Sequence, residues 1–141
     1  MAKINDIMTR TVSTIELGET LQTAAQRMRD LNIGALPVTD EGALVGMVTD
    51  RDITIRAVAE GRNVRDTLVS DAMTADVQSC SPSDSVDAVL KQMGDAQLRR
   101  LAVLDADHRI VGIVALADLA TKQSAPTDAA LREISERTTT A

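Results

Sequence analysis

The chain has no phenylalanine, tyrosine or tryptophan, and only one cysteine, one histidine and three prolines among 141 residues. Without aromatics the core must be assembled from Leu, Ile, Val, Met and Ala, and the stacking platforms that single-stranded nucleic acids rest on are missing. A lone Cys80 cannot form an intramolecular disulfide, which points to a reduced, cytoplasmic setting. No apolar run approaches membrane-spanning length, and the opening Met1-Ala2-Lys3-Ile4-Asn5-Asp6 lacks an apolar signal core. A surplus of positive charge is missing too. The net charge of -6 disfavours nucleic acids and anionic membranes as partners. One His and one Cys are too few for a metal site, and neither offers the oriented base that nucleophilic catalysis needs. The chain is therefore read as a non-enzyme.

What is present is ordinary for a folded protein: 44% hydrophobic and 26% charged residues, in a length that fits one compact domain or two intimately packed halves. The informative feature is a duplication. At an offset of 65 residues, Asp6-Ile7-Met8-Thr9 falls on Asp71-Ala72-Met73-Thr74, Val12 on Val77, Met28 on Met93, Leu36 on Leu101 and Val38 on Val103. One inserted residue moves the offset to 66, where Val45-Gly46 meets Val111-Gly112 and Asp52 meets Asp118.

Each copy has the same order of elements. A short lead (Ile4 to Met8; Val69 to Met73) precedes a brief strand (Thr11 to Ile15; Asp76 to Cys80). Glu19-Thr20 and Asp84-Ser85 supply caps for amphipathic helices striped by Leu21, Ala24, Ala25, Met28, Leu31 and by Val86, Val89, Leu90, Met93. Buried strands Ala35–Thr39 and Leu101–Leu104 follow, then Leu44–Val48 and Ile110–Val114, then a closing helix. The first closing helix is expected to run to about Glu60, stopped by Gly61. The reading is an α/β protein of the α+β type: two β-α-β-β-α repeats packed sheet-to-sheet around one shared core with pseudo-two-fold symmetry, plus a short C-terminal helix. Repeat 1 spans 4–61, a connector 62–68, repeat 2 69–122, and a tail 123–141 whose helix is placed at Asp128–Arg137.

The densest chemistry lies in Gly46-Met47-Val48-Thr49-Asp50-Arg51-Asp52-Ile53. Val45–Val48 reads as a strand running into a helix that Thr49 and Asp50 can cap, and its open N–H groups suit an anion. Thr49, Arg51 and Asp52 place a hydroxyl, a guanidinium and a carboxylate within one turn. A polar cap with Arg51 paired to Asp50 or Glu60 accounts for the same residues. Cys80 aligns with Ile15 and reads as a core plug. His108 reads as an exposed turn residue, and Met8, Met28, Met47, Met73 and Met93 as core filler.

In order and duplication, the leads, Gly34-Ala35-Leu36-Pro37-Val38, the turn at 46–53 and its echo Gly112-Ile113-Val114-Ala115-Leu116-Ala117-Asp118-Leu119 resemble a tandem CBS-domain pair (Bateman module), over Ile4 to about Lys122. Stand-alone bacterial proteins of this kind are regulatory. The resemblance implies adenosine-containing ligands such as AMP, ATP, NAD or S-adenosylmethionine, with Mg²⁺ at Asp50 and Asp52 only alongside nucleotide phosphates. In the main cleft it implies that Thr49 and Asp52 read phosphate and ribose. Arg99 and Arg100 of the other copy meet phosphates, with Arg100 favoured as inward, and Val77-Gln78 line the adenine from the first strand. Met47, Asp50, Arg51 and Ala102 complete that cleft.

The second cleft departs from the pattern. It keeps Asp118 but has Ala115 for Thr49, and it faces Gly34 and Ala35 in place of the arginines. Val12, Ser13, Pro37 and Ile113 line its remainder. Loss of one hydrogen bond to a charged phosphate costs ~1–3 kcal/mol, so this cleft is expected to be the weaker. The implied mechanism is a ligand-dependent change in the angle between repeats, read by an effector protein. A homodimer is expected from apolar surface on Val86–Met93 and Ile53–Val58. The rival reading is a homodimeric interaction scaffold that binds no ligand.

Overall fold

The structure is a computed structural model that describes residues 2–122; the helix expected at Asp128–Arg137 lies outside them. Two compact units are present. The first is Ser13–Val77. The second joins the chain up to Val12 with the chain from Gln78 onward.

The first unit holds β1 (Ile15–Glu16), α1 (Leu21–Leu31), β2 (Ala35–Asp40), β3 (Ala43–Thr49), α2 (Asp50–Ile53, continued by a π-helical turn Thr54–Val58) and α3 (Val69–Ala72). The second holds a 3₁₀ turn Ile4–Asp6, β4 (Ser79–Cys80), α4 (Val86–Ala96), β5 (Arg100–Leu104), β6 (Ile110–Ala115) and α5 (Leu116–Lys122). Each unit has a three-stranded sheet, β1-β2-β3 and β4-β5-β6, with the first pair parallel and the second antiparallel. The irregular register step falls at Val38/Thr39 in one and at Val103/Leu104 in the other, matching positions of the duplication.

The helices begin where the sequence supplies acceptors. Thr20 Oγ1 accepts from the Thr23 N–H at 3.2 Å and Ser85 Oγ from the Ala88 N–H at 3.1 Å. Both helices end on a left-handed residue, Asn32 and Gln97. The first strands are shorter than expected. Asp76 turns the chain with φ 55°, so Val77 and Gln78 precede β4 rather than lie in it, and Thr11–Thr14 likewise precede β1.

The two leads exchange places. Val69 N–H donates to Glu19 O at 2.8 Å and Leu21 N–H to Thr67 O at 2.9 Å, which attaches the lead of repeat 2 to the body of repeat 1. Ile4 N–H donates to Asp84 O at 3.0 Å and Val86 N–H to Ala2 O at 3.2 Å, which attaches the lead of repeat 1 to the body of repeat 2. The repeated aspartate of each lead caps it: Asp6 Oδ2 accepts from Lys3 N–H and Asp71 Oδ2 from Leu68 N–H.

Apolar side chains form two buried clusters, one within each unit. One gathers Ile15, Leu21, Met28, Leu36, Val38 and Val48 under Val69 and Ala72. The other gathers Val86, Val89, Met93, Leu101, Val103 and Leu119 under Ile4, Ile7 and Met8. The borrowed lead supplies a closing layer in each cluster. Cys80 is buried in the second cluster, at the place Ile15 holds in the first. Met47 and Met73 are only half-buried, in contrast to Met8, Met28 and Met93.

Candidate functional site

The turn after β3 is built by mutual capping. Thr49 Oγ1 accepts from the Asp52 N–H and Asp52 Oδ2 accepts from the Thr49 N–H, each at 3.0 Å. This reciprocal arrangement fixes both side chains at the helix start. Thr49 is therefore the cap, and Asp50 is the first helical residue, its Oδ1 accepting from the Arg51 N–H at 2.8 Å. The Thr49 hydroxyl hydrogen and Asp52 Oδ1 remain for other partners. Asp52 is 17% exposed, and its Oδ1 lies 4.0 Å from Arg56 Nε.

Arg51 is exposed and, among the described residues, makes no ion pair with Asp50 or Glu60. The cation that reaches Asp52 is instead Arg56, one helical turn on. Sequence reading passed over it, although the i,i+4 spacing from Asp52 marks it. Arg56 Nη1 also donates to the carbonyls of Ala72 (3.3 Å) and Met73 (3.2 Å). The closing helix is less regular than expected. Thr54 Oγ1 donates back to the Asp50 carbonyl at 3.1 Å, and the chain widens into the π-helical turn Thr54–Val58.

Gly34 and Ala35 stand beside this turn. Asp50 N–H donates to Gly34 O at 2.9 Å, a Cβ on Gly34 would lie 3.1 Å from Asp50 Oδ2, and Ala35 pairs with Thr49 in the ladder. Pro37 pairs with Met47. In the second unit the corresponding bond runs from Leu116 N–H to Arg99 O at 2.8 Å, Arg100 pairs with Ala115, and Ala102 pairs with Ile113 on one side and Ser79 on the other. Arg99 and Arg100 are exposed, as is Asp118 in the first turn of α5. Gln78 Oε1 accepts from Gln92 Nε2 at 3.2 Å.

The residues assigned to the main cleft thus divide between units: Met47, Thr49, Asp50, Arg51, Asp52 and Val77 in the first, Gln78, Arg99, Arg100 and Ala102 in the second. Those of the other cleft divide likewise, with Ser13, Gly34, Ala35 and Pro37 in the first unit and Val12, Ile113, Ala115 and Asp118 in the second.

The apolar face of Val86–Met93 is not available for a partner, because Ile4, Ile7 and Met8 pack on the same cluster. Among the described residues, the large apolar side chains left exposed are Leu31, Ile55, Val58 and Leu68, all in the first unit. His108 is exposed, with φ 64° in the turn between β5 and β6. Among the described residues no group of three or more His, Cys, Asp or Glu could hold a metal ion, and no helix is long and apolar enough to cross a membrane. Burial, reinforced by the Asp84 carboxylate, pushes the Cys80 thiol from 9.0 up to about 12, which leaves it protonated and unreactive.

Comparison with known proteins agrees with this architecture. CBS domain-containing protein YhcV of Bacillus subtilis is 42% identical over 123 residues, covering 87% of this chain and 86% of that protein. The solved structure of Hypoxic Response Protein I, described with two coordinated zinc ions, superposes with a TM-score of 0.78 at 36% identity, over 87% of this chain and all of that one. The CBS-domain pair of protein MJ0100, solved with 5'-methylthioadenosine and S-adenosyl-L-methionine, gives 0.73 at 28% identity, over 86% and 95% of the two chains. The CBS-domain profile matches residues 4–58 and again 69–125. With its duplicated leads, paired three-stranded sheets and repeated strand-to-helix turns, the chain belongs to the CBS-domain family and carries two such domains in tandem.

Proposed function

We propose that this protein is a regulatory module that binds an adenosine-containing ligand at the Thr49–Asp52 turn. The observation that carries the reading is the capping box itself. It holds an acceptor oxygen, Asp52 Oδ1, and a donor hydroxyl, Thr49, within one turn at the end of β3, the chemistry that a ribose diol and a phosphate need. The relative crystallised with 5'-methylthioadenosine and S-adenosyl-L-methionine supports an adenosine ligand. Arg99 and Arg100 of the second repeat serve as phosphate cations, and Val77-Gln78 meet the adenine. The Asp118 turn is the weaker site because Ala115 lacks a hydroxyl, although Arg100 beside it in the ladder gives it a cation of its own unit. The bound ligand acts by favouring one angle between the repeats, and it biases an effector only by its differential affinity for the alternatives.

The test is calorimetry with AMP, ADP, ATP, NAD and S-adenosylmethionine. One dominant site is expected, abolished by Asp52→Ala and little changed by Asp118→Ala. Asp52→Asn, which keeps an acceptor for the Thr49 N–H, separates loss of the ligand carboxylate from loss of the cap. Failure of every ligand to bind would overturn the reading and favour an interaction scaffold. The exposure of Leu31 (47%), Ile55 (49%) and Val58 (61%) supports a homodimer in either case.

A further inference from the structure

We propose that Arg56 is a positioning residue that couples occupancy of Asp52 to the docking of the segment Val69–Thr74 on the end of β3. The inference rests on the reading of the Thr49–Asp52 turn as a ligand site.

The contacts form a closed circuit inside the first unit. Met47 and Thr74 exchange both backbone hydrogen bonds, at 2.9 and 2.8 Å. Two residues after Met47, Thr49 locks Asp52 through the capping box. Asp52 Oδ1 faces Arg56 Nε at 4.0 Å, and Arg56 Nη1 reaches the carbonyls of Ala72 and Met73, which returns the circuit to Thr74. One guanidinium therefore serves the carboxylate and the segment together. Its five N–H donors lie in a rigid plane, so an orientation that satisfies one edge sets the other.

The two ends of this circuit differ in how firmly they are held. Arg56 is half-exposed (49%) and its ion pair with Asp52 is long, so the carboxylate holds its side of the guanidinium only loosely, while the two carbonyls hold the other. A ligand hydroxyl donating to Asp52 Oδ1 fixes the carboxylate from a second side. Arg56 then has an immobile partner, and its bonds to the Ala72 and Met73 carbonyls tighten. The segment so held runs on through Val77, the last residue of the first unit, to Gln78, the first of the second. Occupancy of the turn is thereby transmitted along the chain that leads from the first unit into the second. Linkage makes the effect reciprocal: whatever tightens the segment raises ligand affinity by the same factor.

Amide hydrogen exchange at Met47 and Thr74, whose N–H groups hold the segment, reads the coupling. In unliganded Arg56→Met both amides are expected to exchange about fivefold faster than in wild type, with Leu36 and Val48 unchanged. S-adenosylmethionine or AMP should slow Thr74 exchange in wild type and not in Arg56→Met, and affinity should fall about fivefold in the variant. Arg56→Lys, which keeps the charge without the planar fork, should recover the affinity only in part. Ligand binding to wild type that leaves Thr74 exchange unchanged, or an Arg56→Met protein that matches wild type in both readouts, overturns the coupling alone. Absence of binding to wild type by any of the adenosine compounds overturns the site reading, and the coupling with it.

Discussion

The sulfur of Met73 lies 2.8 Å from the point that a Cβ on Gly46 would occupy. The Thr74 carbonyl oxygen is equally close, and in the second unit Met8 Sδ and Thr9 O stand 2.7 and 3.0 Å from the corresponding point on Gly112. The repeated Met-Thr of the lead and the repeated Val-Gly of the third strand are thus two halves of one contact. Glycine is required because the lead crosses β3 and β6 at backbone range.

Gly46→Ala is expected to destabilise the protein by about 1–3 kcal/mol, the usual effect of forcing a methyl into a filled site. Gly112→Ala should be milder, since its nearest backbone atom is 3.0 Å away rather than 2.8 Å. Truncating the methionine gives a sharper check. Met8→Ala should recover much of the Gly112→Ala loss, whereas Met73→Ala should recover little of the Gly46→Ala loss, because the Thr74 carbonyl cannot swing aside. Chemical denaturation of the single and double variants measures all four.

Much of this was legible in the sequence, for a physical reason. Residues such as Asp6 and Asp71, Gly46 and Gly112, or Thr20 and Ser85 perform local tasks (capping, close approach, helix initiation), and local tasks leave a fixed residue type at a fixed offset. Exchange of the leads was not legible. Ile4 and Val69 need an apolar cover, but nothing in their side chains says which copy provides it. The short first strands were over-read because extended backbone continues before Ile15 and Ser79 while only two residues in each pair with the neighbouring strand. The π-helical turn Thr54–Val58 starts at the residue whose hydroxyl returns to the Asp50 carbonyl, a local widening that hydrophobic periodicity does not reveal. Of the candidate site, the turn itself could be assembled residue by residue, while Arg56 was missed because a charged residue on a helix reads as a solvated face.

The second strand-to-helix turn tests the worth of the cap directly. Ala115 has no acceptor for the α5 N-terminus, whereas Thr49 has one. Ala115→Thr is expected to raise stability by about 1 kcal/mol, and Thr49→Ala to lower it by a similar amount. If the hydroxyl also contacts ligand, Ala115→Thr should strengthen the weaker site in calorimetry. A gain in stability without a gain in affinity would assign Thr49 to capping alone.

Cys80 gives a pH signature. Its thiol titrates near 9.0 in the unfolded chain and at about 12 in the folded one. Between those values the folded state keeps a proton that the unfolded state has released, so stability falls as pH rises from 9.0 toward 12 and levels off above. Urea denaturation across that range should show a steeper loss for wild type than for Cys80→Val, which keeps an apolar side chain in the buried place that Ile15 fills in the other unit. Below pH 8 a thiol reagent should label Cys80 only on unfolding. Rapid labelling of the native protein would contradict its burial.

The exchanged leads separate two fragments that differ only in where they are cut. A piece of the chain from Ser13 to Val77 contains every member of the first buried cluster, including Val69 and Ala72. A piece from Ile4 to Gly61, which follows the sequence repeat, leaves both out and carries Ile4, Ile7 and Met8 with nothing to cover. It also loses the Thr67 carbonyl that accepts from the Leu21 N–H at the start of α1. Val69 is fully buried, and removing a side chain of that kind costs ~2–3 kcal/mol, a large share of what a piece of this size can hold in reserve. The 13–77 fragment is therefore expected to show a cooperative thermal transition by circular dichroism, and the 4–61 fragment a shallow, non-cooperative one. The reverse order would mean that the lead is an accessory to the fold rather than its closing layer. With both leads in place, Ile4→Ala should destabilise by about 2–5 kcal/mol, the range for a fully buried aliphatic side chain.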